Sequence, residues 1–163
     1  MLIILKNKDT LVCDEFIFRC SIGKNGIKIK KQEGDKITPK GTFSLGTLYY
    51  RPDRVKKPIT KISTKIIKKN MGWCNDPSNN HYNKEIRIDK IVKHEKLFRK
   101  DNAYDYLIVI NYNTKKIFPN KGSAIFIHLT KNYKKTDGCI ALKKNDFLAL
   151  TKIINKRTKI DRK

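Results

Sequence analysis

The chain has 163 residues and carries 38 Lys+Arg against 15 Asp+Glu, a formal net charge of +23. That length suits one domain with room for a core, and 39% hydrophobic residues argue against a disordered chain. No apolar run approaches the roughly 20 residues of a membrane-spanning helix. The charge invites a nucleic-acid reading, but its make-up argues against one. Lys outnumbers Arg 31 to 7, beside 23 Ile and 14 Asn, and the lysines are spread along the chain. A protein that reads base edges favours the arginine fork. No specific nucleic-acid partner is expected.

Taken in chain order, the first half reads as strands. Leu2 to Leu5 and Glu15 to Ile22 are rich in Ile and Phe, with a hairpin turn expected at Asp14-Glu15. Met1 to Leu5 lacks the basic region and cleavage site of a signal peptide and reads as a first strand. Gly23-Lys24-Asn25-Gly26 is a turn signal, and Pro39 and Gly41 suit a further β-turn before a strand over Thr42 to Tyr50. Residues 54 to 69 fit either an amphipathic helix broken by Pro58 or irregular strands. Residues 70 to 83 read as a long polar loop, ordered by Trp73, Cys74, His81 and Tyr82. Strands follow at Tyr106 to Tyr112, Ser123 to Leu129 and Cys139 to Leu142. A helix capped by Asn145 or Asp146 presents Phe147, Leu148, Leu150, Ile153 and Ile154. Residues 1–155 form the expected domain and 156–163 a basic C-terminal tail.

Four cysteines (Cys13, Cys20, Cys74, Cys139) include no CxxC pair, and a hairpin would set Cys13 opposite Phe16 and away from Cys20. The three histidines (His81, His94, His128) lack zinc-site spacing, so no metal site is expected. One constellation carries chemistry. His128 closes a strand, and Cys139 opens the next eleven residues later, preceded by Gly138. If the strands are neighbours, an imidazole lies beside a thiol, the pairing that makes a cysteine nucleophilic. Gly138 leaves room for a substrate carbonyl, and the amides of Gly138 and Cys139 suit an oxyanion. The same residues would also serve as ordinary core side chains, and spacing alone does not separate the two.

His128 with Thr136-Asp137-Gly138-Cys139 resembles the active-site signature of the L,D-transpeptidase (YkuD-like) catalytic domain. Thr38-Pro39-Lys40-Gly41-Thr42-Phe43 is similar to another element of that family. Gly72-Trp73-Cys74-Asn75-Asp76-Pro77, Tyr82-Asn83, His94-Glu95-Lys96-Leu97-Phe98-Arg99 and Tyr104-Asp105 resemble its stand-alone single-domain branch. The resemblance covers roughly residues 1–150. It implies a mostly-β fold, a β-sandwich of mixed sheets with one or two short helices, including the C-terminal helix. It implies a cysteine acyltransferase acting on peptidoglycan stem peptides, with no cofactor, in the cell envelope. The absence of a visible export signal leaves the cytoplasm open. Cys139 would be the nucleophile, with His128 as base and then acid. Thr136, Asp137, Asp76, Tyr82, Asn83 and His94 would bind substrate, in a protein expected to be a monomer. Many members carry a His before the Gly-Cys pair, where this chain has Asp137.

Two other readings compete with transpeptidation. One is an L,D-carboxypeptidase or peptide hydrolase on the same scaffold. The other is a non-catalytic basic protein binding nucleic acid or an anionic wall polymer. Lys131, Lys134, Lys135, Lys143 and Lys144 flank the His–Cys element, and their field is expected to favour the thiolate.

Overall fold

The computed structural model describes residues 1–88 and 92–162. The first strands are β1 (Leu2–Lys6), β2 (Thr10–Cys13), β3 (Phe16–Ser21), β4 (Ile27–Lys28), β5 (Thr38–Pro39) and β6 (Gly41–Tyr50). They are followed by β7 (Thr64–Ile66), β8 (Met71–Cys74), β9 (Glu85–Arg87), β10 (His94–Lys96) and β11 (Tyr106–Ile110). The chain continues through β12 (Phe126–Leu129), β13 (Ile140–Leu142), helix α1 (Lys144–Ile153) and β14 (Lys159–Arg162).

The result is a mostly-β sandwich. One sheet runs β3-β2-β1-β14-β6, and the other runs β7-β6-β11-β12-β13-β3, so β3 and β6 belong to both. Ten-residue β6 manages this by length: Gly41–Ser44 pair with β14, whereas Leu45–Tyr50 pair with β11. The main core lies between the sheets and holds Ile3, Leu11, Ile108, Ile127, Ile140 and Ile160. Helix α1 closes on this core through Phe147 and Leu150, with the Phe147 ring stacked on Tyr106 at 5.7 Å. The side chain of N-cap residue Lys143 makes no capping bond; Asp146 instead sits in the first turn, where a negative charge complements the helix dipole.

A second core lies on the other face of the β11–β12 sheet, under a small sheet ordered β10-β8-β9. Strand β11 explains the arrangement. Tyr106, Ile108 and Ile110 face the main core, whereas Leu107 and Val109 face the second. A strand buried on both sides reads as an unbroken apolar run, as Tyr106 to Ile110 does.

Several expectations change. Met71–Cys74, expected within a loop, form the middle strand of the small sheet. Gly72 permits this, since a Cβ there would meet His94 Cδ2 at 3.0 Å. Residues 54 to 69 contain no helix, only turns and β7. Thr38-Pro39, expected to shape a turn, pair in parallel with Ile27-Lys28, and the turn falls earlier, at Glu33-Gly34. The basic tail also differs: β14 lies between β1 and β6, with Ile160 and Arg162 fully buried. Its short alternation in a lysine-rich context hid the strand. Lys163 lies outside the described residues. All four cysteines are buried and unpaired, and Cys13 does face Phe16 across the β2–β3 hairpin.

Candidate active site

Strand alternation builds the site. Along β12, Ile125, Ile127 and Leu129 face the main core, so Phe126 and His128 face the other way. Along β13, Ile140 and Leu142 face the main core, so Cys139 and Ala141 do not. The two strands are parallel neighbours, with His128 opposite Ala141 and Ile127 opposite Ile140. His128 and Cys139 therefore share one face and line one cleft of about 1240 Å³.

The thiol is held by two backbone groups, and the backbone that carries it by two threonines. Phe126 N–H donates to Cys139 Sγ at 3.3 Å, and the thiol donates to the carbonyl of Ala124 at 3.2 Å. Thr136 Oγ1 donates to the Cys139 carbonyl at 2.6 Å and accepts from Gly138 N–H at 3.2 Å. Thr38 Oγ1 donates to the Gly138 carbonyl at 2.9 Å and accepts from Gly23 N–H at 2.9 Å. Gly138 has a φ of 136°, and a Cβ there would stand 2.9 Å from the Ile37 carbonyl oxygen. Only glycine fits both the dihedral and the space.

Burial pushes the Cys139 thiol up to about 12, and Glu95 pushes the same way; the Phe126 amide and Lys30 oppose them. Desolvation outweighs any lysine field, so the expected thiolate is replaced by a resting thiol. Burial likewise lowers His128 to about 4, with Arg99 adding to the effect and the Leu129 carbonyl opposing it. The imidazole is neutral at pH 7. His128 Nδ1 lies 2.9 Å from the Leu129 carbonyl, which accepts only from the Nδ1–H tautomer. Nε2 is then the basic nitrogen. Thiol and imidazole share no hydrogen bond at rest among the described residues; the thiol proton points to Ala124.

Behind His128 stands a group without a role in the sequence reading. The Tyr104 ring meets the imidazole edge-on at 5.3 Å, and its hydroxyl donates to Glu95. Arg99 lies over the Tyr104 ring at 4.9 Å and is held by Asp101. Burial raises the Glu95 carboxyl. His94, Glu95, Arg99, Tyr104, Thr136 and Asp137 line the same cleft as Cys139 and His128.

Asp76, Tyr82 and Asn83 do not line it. Asp76 accepts from the Ser78 amide and hydroxyl in its own turn. Tyr82 is buried and donates to Glu33, which also accepts from Ser123 at 2.8 Å. Asn83 is buried with both side-chain polar atoms used. Its Oδ1 accepts from Trp73 Nε1 at 2.9 Å and Ala124 N–H at 3.1 Å, and its Nδ2 donates to the carbonyls of Tyr112 and Asn113. Asn83 thus fixes Ala124, the residue whose carbonyl receives the thiol proton. The positive φ of Ala124, 52°, is held by this contact.

The chain matches the YkuD family, the L,D-transpeptidase catalytic domain, over residues 2–161. It belongs to that family. No curated protein matches it.

Proposed function

We propose that the protein is a cysteine acyltransferase that crosslinks peptidoglycan stem peptides, with Cys139 as nucleophile and His128 as base. The observation that carries this reading is the shared face of parallel β12 and β13, which directs thiol and imidazole into one cleft. The family to which the chain belongs acts on peptidoglycan peptides and is associated with the cell wall.

The chemistry follows from the resting geometry. The thiol turns from Ala124 toward His128, and Nε2 takes its proton as sulfur attacks the carbonyl between an L-centre and a D-residue. The Phe126 amide already donates to sulfur and stabilises the charge as it develops. The tetrahedral oxygen draws on the amides of Gly138 and Cys139, for which Gly138 N–H exchanges its bond to Thr136. The bond to the D-residue breaks, and that residue leaves with the proton from His128. A thioester on Cys139 remains. The side-chain amine of a second stem then attacks the thioester, forming the crosslink and restoring the thiol. Asp137, exposed at the cleft mouth, and His94, which lines the cleft, contact the substrate in this reading.

Incubation with purified disaccharide-tetrapeptide tests this. A crosslinked dimer is expected, together with a thioester adduct on the protein by intact mass; Cys139→Ala gives neither. Loss of one residue without dimer would make the enzyme a carboxypeptidase. Unchanged substrate with no adduct would overturn the assignment.

A further inference from the structure

A second pocket, of about 560 Å³, adjoins the segment that leads to Cys139, through Tyr133 and Lys135. Its wall includes Lys8, Arg19, Lys24, Lys28 and Lys135, against one carboxylate, Asp9. Asp9 already accepts from Thr10 Oγ1 at 3.0 Å. Along β3, Phe18 and Cys20 face the main core, so exposed Arg19 and buried Ser21 lie on the other face, the one this pocket borders. Ser21 is 5% exposed and lines the pocket, and its hydroxyl oxygen is buried and has no hydrogen-bond partner among the described residues. An orphaned buried hydroxyl is costly unless something meets it. Tyr133 forms part of the wall, with Arg19 4.5 Å from its ring centre. An excess of cations over carboxylates, one unsatisfied hydroxyl and an aromatic wall describe a receptor for an anion larger than a carboxylate.

We propose that this pocket binds a phosphoryl group carried on a small organic moiety, and that its occupancy is felt by the Cys139 segment. The phosphoryl oxygens meet Lys24, Lys28, Arg19 and the Ser21 hydroxyl; the organic part rests against Tyr133. The coupling is built from bonds already present. Lys24 N–H donates to the Thr136 carbonyl at 2.9 Å, and Thr136 N–H donates to the Ile22 carbonyl at 2.9 Å. Lys24 Nζ also lies 3.3 Å from Asp137, in a pair exposed on both sides and so weakly held. A phosphoryl group draws Lys24 away from Asp137 and frees that carboxylate at the cleft mouth. The proposal needs no assumption about the reaction at Cys139.

Binding is measured by calorimetry and thermal shift with inorganic phosphate and with glycerol phosphate, against chloride at matched ionic strength. Saturable one-to-one binding is expected, with glycerol phosphate the tighter of the two. Lys24→Gln with Lys28→Gln weakens it at least tenfold; a control pair, Lys61→Gln with Lys69→Gln, changes it less than twofold. Ser21→Ala weakens it several-fold without lowering the melting temperature, since that hydroxyl has no partner within the protein. Asp137→Asn tightens it, because the competitor for Lys24 is gone. Cys139→Ala binds as the parent does, which separates this result from any failure of the acyl-transfer reading. An absence of saturable binding beyond chloride, or equal weakening by the two lysine pairs, overturns the site. Unchanged affinity in Asp137→Asn overturns the coupling.

Discussion

His128 and Cys139 line one cleft as neutral groups, and that fixes how the protein responds to pH. The imidazole titrates at about 4 and the thiol at about 12. Acylation is expected to hold flat from pH 6 to 9 and to fall as pH drops through about 4, when the base is lost. Stability follows the same groups. An unfolded histidine binds its proton near 6.5, so below that pH the unfolded state holds more protons than the folded one. Stability contributed by His128 is complete above 6.5 and is lost progressively toward 4, by up to about 3 kcal/mol. The cysteines act at the other limit. Burial raises Cys20 and Cys139 to about 12, so stability declines once pH rises above the ordinary thiol value near 9. Urea unfolding from pH 4 to 7 checks the acid limb, which flattens in His128→Gln; an unchanged slope would remove His128 as its cause. The sequence displayed the His128–Cys139 pair because both residues sit at strand ends with a glycine between them. It did not display Thr38 as the clamp on Gly138, or Glu95 and Tyr104 as backing for His128. Those contacts join segments far apart in the chain, and Thr38 and Gly138 are separated by 100 residues.

At the level of elements, β14 decides most. It fills the gap between β1 and β6, and without it the first sheet would end in two open edges. Ile160→Ala is expected to cost about 2–5 kcal/mol, the range for truncating a fully buried isoleucine. Leu2→Ala, on the exposed side of neighbouring β1, should cost well under 1 kcal/mol. Chemical denaturation of both variants measures the contrast; equal, small effects would mean that 156–163 is a tail after all. Strands with strong apolar runs, such as β11 and β12, were legible from pattern alone. Strand β14 and strand β8 were not. Lys-Ile-Asp-Arg is too short and charged to signal a central strand, and Met-Gly-Trp-Cys is placed by the packing of Trp73 against Phe126 at 5.2 Å. Here tertiary contacts override local preference.

Across the whole molecule, 38 basic residues face 15 acidic ones, so the folded state carries strong self-repulsion. Added salt screens it. Raising sodium chloride from about 20 to about 300 mM, which shortens the screening length from roughly 20 Å to under 10 Å, should raise the melting temperature by several degrees. A melting temperature that falls or stays level would show that local ion pairs outweigh the net charge. The hydrogen bond from Thr38 to Gly138 has a bearing on folding. A contact of such long range carries the entropy cost of closing the loop between its partners. The segment around Cys139 is clamped in its shape only when β5 lies against it. A nascent or partly unfolded chain, in which the two are apart, carries an ordinary thiol without its clamp, and the acyl transfer proposed for Cys139 requires the two segments to have met.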